Sequence, residues 1–509
     1  MNVFRFSSSH GLAVGLALAL SSCASVGPDF HAPEATAPAD WRARPTSAAE
    51  LAASVAPSTD PLPASWWEVF GDPTLDALQA RAIQASPDLQ TATLRFAQAR
   101  LQRRVAASQA LPQVDLDAQA ARQRQSEESA ETRLAGALGG ASAPQLVQVL
   151  SEPFSLYQAG FDVSWELDLW GRVRRLVEAA DAGIEAAQAQ LQDTRLVLSS
   201  ELARAYFELR QVQRQQALLT RDVAVARDLL ALRQAQAANG LTDADPPLAQ
   251  SQRVAQLAAQ RAALQARQAA LDNQIGLLTG DAPGALNALL APASADLDQD
   301  APPGLPALAL GQPADLLRRR PDVRGAEARL HAATAEIGVA VADLYPRIGF
   351  DASAGFQSLD AADLGDWGSR TWQVGPVLSL PVFDRGRRRA NVELRRKDQQ
   401  LAAVAWHQRV LKSWQEVDDA LNDYAAEHAR NARLREREAA SREQLTFARV
   451  RAGTGLGNDL SVLQAELAWR QTQADVAESD CALQTALVRV YKASGGGTAP
   501  APGVANASP

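Results

Sequence analysis

From Tyr157 to Leu169 the chain alternates without a break. Tyr157, Ala159, Phe161, Val163, Trp165, Leu167 and Leu169 are separated by Gln158, Gly160, Asp162, Ser164, Glu166 and Asp168. A period of two puts the apolar set on one face of a β-strand and the polar set on the other. Three more runs share the pattern. Val114, Leu116, Ala118 and Ala120 alternate with Gln113, Asp115, Asp117 and Gln119. Ile348, Phe350, Ala352, Ala354 and Phe356 alternate with Gly349, Asp351, Ser353, Gly355 and Gln357. Trp372, Val374, Leu378, Leu380 and Val382 oppose Gln373, Gly375 and Ser379. A strand that crosses an outer membrane needs about 9–11 such residues, with aromatics near the interfaces. A soluble sandwich with one buried face is the competing reading. Membrane barrels need at least about eight strands, and an open edge in lipid leaves backbone groups unsatisfied. Four spanning strands per chain therefore require several copies to share one barrel.

The strands belong to a pattern that occurs twice. Ser86-Pro87-Asp88 heads a helical run to Leu111-Pro112, and Arg320-Pro321-Asp322 heads one to Tyr345-Pro346, a spacing of 234 residues (321 − 87). Leu169-Trp170-Gly171-Arg172 matches Phe383-Asp384-Arg385-Gly386-Arg387, and Asn239-Gly240-Leu241 matches Thr454-Gly455-Leu456, both at 215 (386 − 171). The difference is an insertion in the first half between Gln123 and Pro153. Each half reads helix, strand, loop, strand, long helix, tip, long helix. Gly171–Asn239 contains no Pro, and at 1.5 Å per residue it predicts a helix of about 100 Å. Leu209, Val212, Gln216, Leu219, Val223, Ala226 and Leu230 step by three and four, as do Val410, Trp414, Val417, Leu421 and Tyr424; both are coiled-coil seams. Return helices are expected over Pro246–Leu278 and Asp459–Lys492, with tips at Gly240–Pro247 and Gly453–Asp459. The fold class is thus mainly α with membrane β, internally duplicated.

Charge and composition exclude several functions. With 50 Lys and Arg against 58 Asp and Glu, the net charge is −8, the wrong sign for a nucleic-acid binder. The two cysteines, Cys23 and Cys481, make no disulfide framework. The five histidines form no HxxxH or HExxH pair, so no metal or cofactor is expected. No nucleophile–base set or carboxylate pair stands out, so no catalytic residue is expected and the chain does not read as an enzyme. Cys481, on a seam with Ala474, Ala477 and Val488, reads as a packed small hydrophobe.

The N-terminus reads as an address. Arg5 precedes the apolar stretch Leu12–Leu20, a secretory signal too short to span as a helix. Leu20-Ser21-Ser22-Cys23 looks like a bacterial lipobox, so residues 1–22 are expected to be removed and Cys23 acylated. The residue after it is Ala24 and not Asp, which by resemblance to other lipoproteins favours the outer membrane. A Pro-rich extended linker completes residues 23–63, and residues 495–509 read as a disordered tail. The two repeats are bounded at 64–310, including a connecting segment, and 311–494. Trp165, Trp170 and Trp372 lie on or beside strands. Arg172, Arg174 and Arg175, with Arg385, Arg387, Arg388 and Arg389, lie just beyond strand ends, where anchoring against lipid headgroups is expected and binding of an anionic partner is the rival. Trp165, Trp170, Arg172, Trp372 and Arg387 are candidate anchors at the lipid interface.

Nearly the whole mature chain resembles the TolC-like outer-membrane efflux channels, in their OprM/NodT-like lipoprotein branch. The residues that carry this are Cys23 with Val26-Gly27-Pro28-Asp29-Phe30, Trp66-Trp67, Phe70-Gly71-Asp72-Pro73, Asp168-Leu169-Trp170-Gly171-Arg172, Arg319-Arg320-Pro321-Asp322, Tyr345-Pro346 and Tyr491-Lys492-Ala493. The resemblance implies a homotrimer with a shared 12-stranded β-barrel in outer-membrane lipid and a periplasmic α-barrel of antiparallel helices. It implies a passive duct that works with a periplasmic adaptor protein and an inner-membrane pump. The absence of a GxxxxGK[ST] sequence agrees, since the pump supplies the energy. It also implies a periplasmic gate at the second tip, with the constriction at Leu460 and the family's aspartate ring at Gln464. Here that aspartate is absent, and Leu467 replaces the arginine that follows. Asp459 and Asp245 are nearby candidates for a negative ring, although Asp also favours the first turn of a helix for its own sake. Alternatives are the exit duct of a protein or metal-ion exporter, or a structural coiled-coil lipoprotein without a lumen.

Overall fold

The computed structural model describes residues 25–34, 65–292 and 319–496. Cys23, the signal segment, most of the linker and the tail lie outside these residues. The elements in order are α1 (Pro73–Ala85), α2 (Pro87–Ser108), β1 (Gln113–Gln123), α3 (Ala130–Leu138), α4 (Ala143–Ser151), β2 (Phe154–Leu167), α5 (Arg172–Ala238), α6 (Asp245–Thr279) and the single turn α7 (Asn287–Leu290). Then come α8 (Pro321–Ala342), β3 (Arg347–Ser358), β4 (Arg370–Ser379), α9 (Arg387–Gly453) and α10 (Asp459–Ala493). The duplication is plain in these bounds. Helix α8 starts and ends 234 residues after α2, and α9 starts and ends 215 residues after α5.

The chain divides into two compact units. The first takes in Ala99–Ile184, Arg329–Ala402 and the described part of Met1–Ala32. Its centre is one antiparallel sheet of order β1-β2-β3-β4. Several strand limits differ from the sequence reading. Strand β2 ends at Leu167, two residues early, because the Asp168 carboxylate turns back to accept the Val173 and Arg174 amides at the start of α5. Strand β4 ends at Ser379 and not Val382; Pro381 has no N–H to continue a ladder. Strand β2 also begins earlier, at Phe154, paired with Gln123.

The second unit comprises the described residues of Pro33–Gln98, Glu185–Ala328 and Ala403–Pro509. It is helical, and its core is the pair of seams. Leu209, Val212, Leu219, Val223 and Ala226 are buried, as are Val410, Val417, Leu421 and Tyr424. The family-like motifs build the same core. Trp66 stacks on Tyr491 at 5.3 Å. Asp72 caps α1 by accepting the Thr74 and Leu75 amides, and Tyr206 donates to its other oxygen; burial and that bond push the Tyr206 hydroxyl up to about 12. Arg320, nearly fully buried, donates to Asp322, Glu416 and the Ala493 carbonyl. Cys481 is buried, which pushes its thiol up to about 11, and it packs in the helical core.

Candidate functional site

The register of the sheet sorts its side chains by polarity. Val114 pairs with Val163, Val163 with Ala352, and Ala352 with Val374. The next row is Leu116, Phe161, Ala354 and Trp372. Directly paired residues lie on the same face of a sheet, so one face is apolar across all four strands. It is also uncovered: Leu116, Phe161, Val374 and Trp372 are each more than half exposed. The other face carries Asp115, Asp162, Ser353 and Gln373 in one row and Asp117, Gly160, Gly355 and Thr371 in the next. An exposed apolar face this continuous is not a water-facing surface. It fits lipid on one side and water on the other. Among the described residues, no helix is long and apolar enough to cross a membrane.

A short strap lies against the same unit. The Val26 amide donates to the Trp170 carbonyl at 3.0 Å. The buried Arg175 guanidinium donates to the Val26 carbonyl, to Asp29 at 2.6 Å and to Glu178 at 2.8 Å. That bond holds the Asp29 carboxyl below its ordinary range. Phe30 stacks on His331 at 4.3 Å, and His331 Nε2 lies 3.1 Å from Glu178. Gly27, at φ +95°, passes so close to Gly338 that a Cβ would sit 2.5 Å from its Cα. Arg175, grouped by sequence with the arginines expected at the lipid interface, is corrected here: it is buried, and its charge is spent on the strap and on Glu178.

The five candidate anchors divide. Trp165 donates to the Ala110 carbonyl at 3.0 Å. Trp170 donates to the Pro346 carbonyl at 2.7 Å and stacks on Tyr345 at 4.8 Å. Arg172 forms a two-pronged pair with Glu166. Trp372 and Arg387 are exposed.

The two helix tips are near copies. Gly240 ends α5 at φ +70° and Gly455 ends α9 at φ +76°. Leu241 donates back to the Gln236 carbonyl and Leu456 to the Arg451 carbonyl, both at 2.9 Å, the glycine C-cap that closes a helix. At the second tip the Asn458 side chain accepts the Ser461 amide and starts α10. Asp459 is the first residue of α10 and is exposed; Leu460 is half-buried; Gln464, one turn on, is exposed. Asp245 holds the matching first position of α6.

Sequence reasoning missed two features. One is the contact between α5 and α10 made by Asp222 and Arg470. Asp222 Oδ1 lies 3.8 Å from the buried Arg470 Nε, which has no hydrogen-bond partner, and Glu466 takes the Arg470 Nη2 at 2.6 Å. Burial pushes the Asp222 carboxyl up to about 6. The other is the helical fold of the insertion between Gln123 and Pro153, which the repeat spacing located but whose hairpin of α3 and α4 it did not show. No cluster of three or more metal-ligating side chains occurs among the described residues.

The chain matches the family described as outer membrane efflux protein over residues 78–280 and 313–496. The toluene efflux pump outer membrane protein TtgF of Pseudomonas putida is 31% identical over 493 residues, covering 96% of this chain and 97% of that one. Outer membrane protein OprJ of Pseudomonas aeruginosa is 31% identical over 492 residues, covering 95% and 94%. The solved outer-membrane channel OprN is 31% identical with a TM-score of 0.79, over 92% of this chain and 99% of that one. The Campylobacter jejuni CmeC outer membrane channel, 21% identical with a TM-score of 0.80 over 93% and 95%, shares the fold. An exposed apolar sheet face, paired long helices with matching tips, and a family match over both halves lead to one conclusion: the chain belongs to the outer membrane efflux protein family.

Proposed function

We propose that the chain is one third of a passive exit duct in a tripartite efflux pump. Three copies close a twelve-stranded barrel, apolar face to the lipid and polar face to an aqueous lumen. The observation that carries this reading is the four-stranded sheet with two open edges, β1 and β4. Strand β4 runs opposite to β1, so setting β4 of one copy beside β1 of the next keeps every pairing antiparallel. An odd number of strands would not. Head-to-tail repetition of one contact generates a closed ring, which removes the edges.

The duct has no energy source of its own. A periplasmic adaptor and an inner-membrane pump supply it, and the relatives named for toluene and antibiotic efflux point to small apolar molecules and drugs as cargo. Residues 1–22 are removed and acylated Cys23 joins the body to the membrane. The repeats, 64–310 and 311–494, each give two strands and one helix pair. Trp165, Trp170, Arg172, Trp372 and Arg387 flank the lipid zone. Leu460 narrows the pore at the second tip, as an apolar ring that hinders ions by dewetting, with Gln464 and Asp459 beside it. The test is reconstitution into planar bilayers. Discrete conductance steps are expected; a bracing lipoprotein without a lumen gives none.

A further inference from the structure

The two connections at one end of the sheet are unequal. Strands β1 and β2 are joined through residues 124–153, which fold into α3 and α4, whereas β3 and β4 are joined through residues 359–369. The register places both at the same end: Gln123 pairs with Phe154, and Phe356 with Arg370. Both connections present apolar side chains to solvent. In the hairpin, Leu134 and Leu138, one turn apart on α3, are 60% and 78% exposed, and Val149 on α4 is 67% exposed. In the short connection Trp367 is 76% exposed, with the Arg370 guanidinium over its ring at 4.3 Å, and Leu359 is 63% exposed. Neither connection gains from such exposure, since burying one Leu contributes about 1.5–3 kcal/mol.

Their positions identify the occupant. The hairpin rises from the end of β1, which is one free edge of the sheet. Trp367 lies three residues before the start of β4, which is the other. If β4 of one copy lies beside β1 of the next at the usual spacing of about 4.8 Å, the end of β1 neighbours the start of β4. Each hairpin then stands beside the Trp367 connection of the adjacent copy. A head-to-tail ring needs two different patches that fit one another, and the two ends of this sheet supply them. We propose that the α3–α4 hairpin is an intermolecular clasp, seating Leu134, Leu138 and Val149 against Trp367 and Leu359 of a second copy of this chain. This rests on the shared-barrel reading and adds a contact beyond the strand edges.

The test is oxidative crosslinking of the full-length protein in outer membranes. Leu138→Cys combined with Trp367→Cys should give dimer and trimer bands, and each single variant should give none. A second series reports the barrel itself: Asp117→Cys on β1 combined in turn with Thr371→Cys, Gln373→Cys or Gly375→Cys on β4. Crosslinks in this series but none from the Leu138 and Trp367 pair overturn the clasp and leave the barrel standing. No crosslink in either series overturns both. As a second measurement, the combined Leu134→Gln, Leu138→Gln and Val149→Gln variant should dissociate at a lower temperature than wild type in lipid-free detergent. Unchanged dissociation in detergent, with a shift only in bilayers, would assign the stripe to lipid and overturn the clasp.

Discussion

Gly160 and Gly355 stand directly opposite one another across β2 and β3, on the polar face, and their backbones nearly touch. A Cβ on Gly355 would lie 2.6 Å from the Gly160 Cα and 2.5 Å from the Ala159 carbonyl oxygen. Such an approach is open only to glycine, and a cross-strand pair without side chains lets the sheet bend toward the polar side. That side is the lumen in the duct reading.

Gly355→Val should therefore disturb the wall. Overpacking costs typically about 1–3 kcal/mol, and the assembled oligomer should dissociate at a lower temperature in detergent. Gly375→Val is the control, because a Cβ there meets nothing within 4 Å. Equal stability of the two variants would show that the close approach does not shape the wall.

The two faces should respond differently to charge. Phe161→Arg places a cation on the apolar face, at a cost of about 2–4 kcal/mol near the bilayer midplane. Asp162→Arg, one residue along and on the polar face, should cost far less. Chemical denaturation of the refolded protein in vesicles reads both; equal damage would mean that both faces meet the same medium.

The Asp222 carboxyl gives a pH dependence of defined sign. Its ordinary value of 3.8 is raised to about 6 in the fold by burial, against the opposing pull of Arg470 and Arg253 and with the help of Glu466. The native state therefore holds this proton more tightly than the unfolded chain does. The stabilisation is full below about pH 4 and is lost as pH rises through about 6, with a ceiling of about 3 kcal/mol. Asp222→Asn should raise the melting temperature at pH 7.5 and change it little at pH 4. A lower melting temperature at pH 7.5 would mean that the long contact to Arg470 outweighs burial.

At the second tip, Leu460→Ala should raise resting conductance and admit large antibiotics such as vancomycin. Gln464→Ala should do less, since a neutral ring attracts cations weakly. Conductance unchanged by Leu460→Ala but raised by Asp459→Ala would move the constriction one residue earlier.

Processing is read by mass spectrometry. The mature protein should begin at Cys23 and carry acyl chains, because firm anchoring takes more than one chain. An unmodified Cys23, or a start elsewhere, contradicts the lipobox reading.

The parts of this fold visible in the sequence are those governed by local periodicity. Alternation along Tyr157–Leu167 shows because lipid and water select opposite polarities at neighbouring residues. Arg172–Ala238 shows because a long helix buries a repeating stripe and ends at Gly240. What stayed hidden depends on long-range contact. The Arg175–Asp29 bond joins residues 146 positions apart, so Arg175 read as one more interface arginine. Asp222 and Arg470 lie on different helices, and neither neighbourhood marks them. The helices of the hairpin are nine residues each, too short for a stripe to stand out. Asp459 illustrates the limit at the tip, since a gate residue and a helix-start residue look alike in one chain.

In the duct reading, one chain supplies only a third of a closed barrel. Native mass spectrometry of the detergent-solubilised, lipidated protein counts the copies directly. The account predicts a particle of three chains. A particle that conducts as a single chain, or a stable dimer, would contradict it.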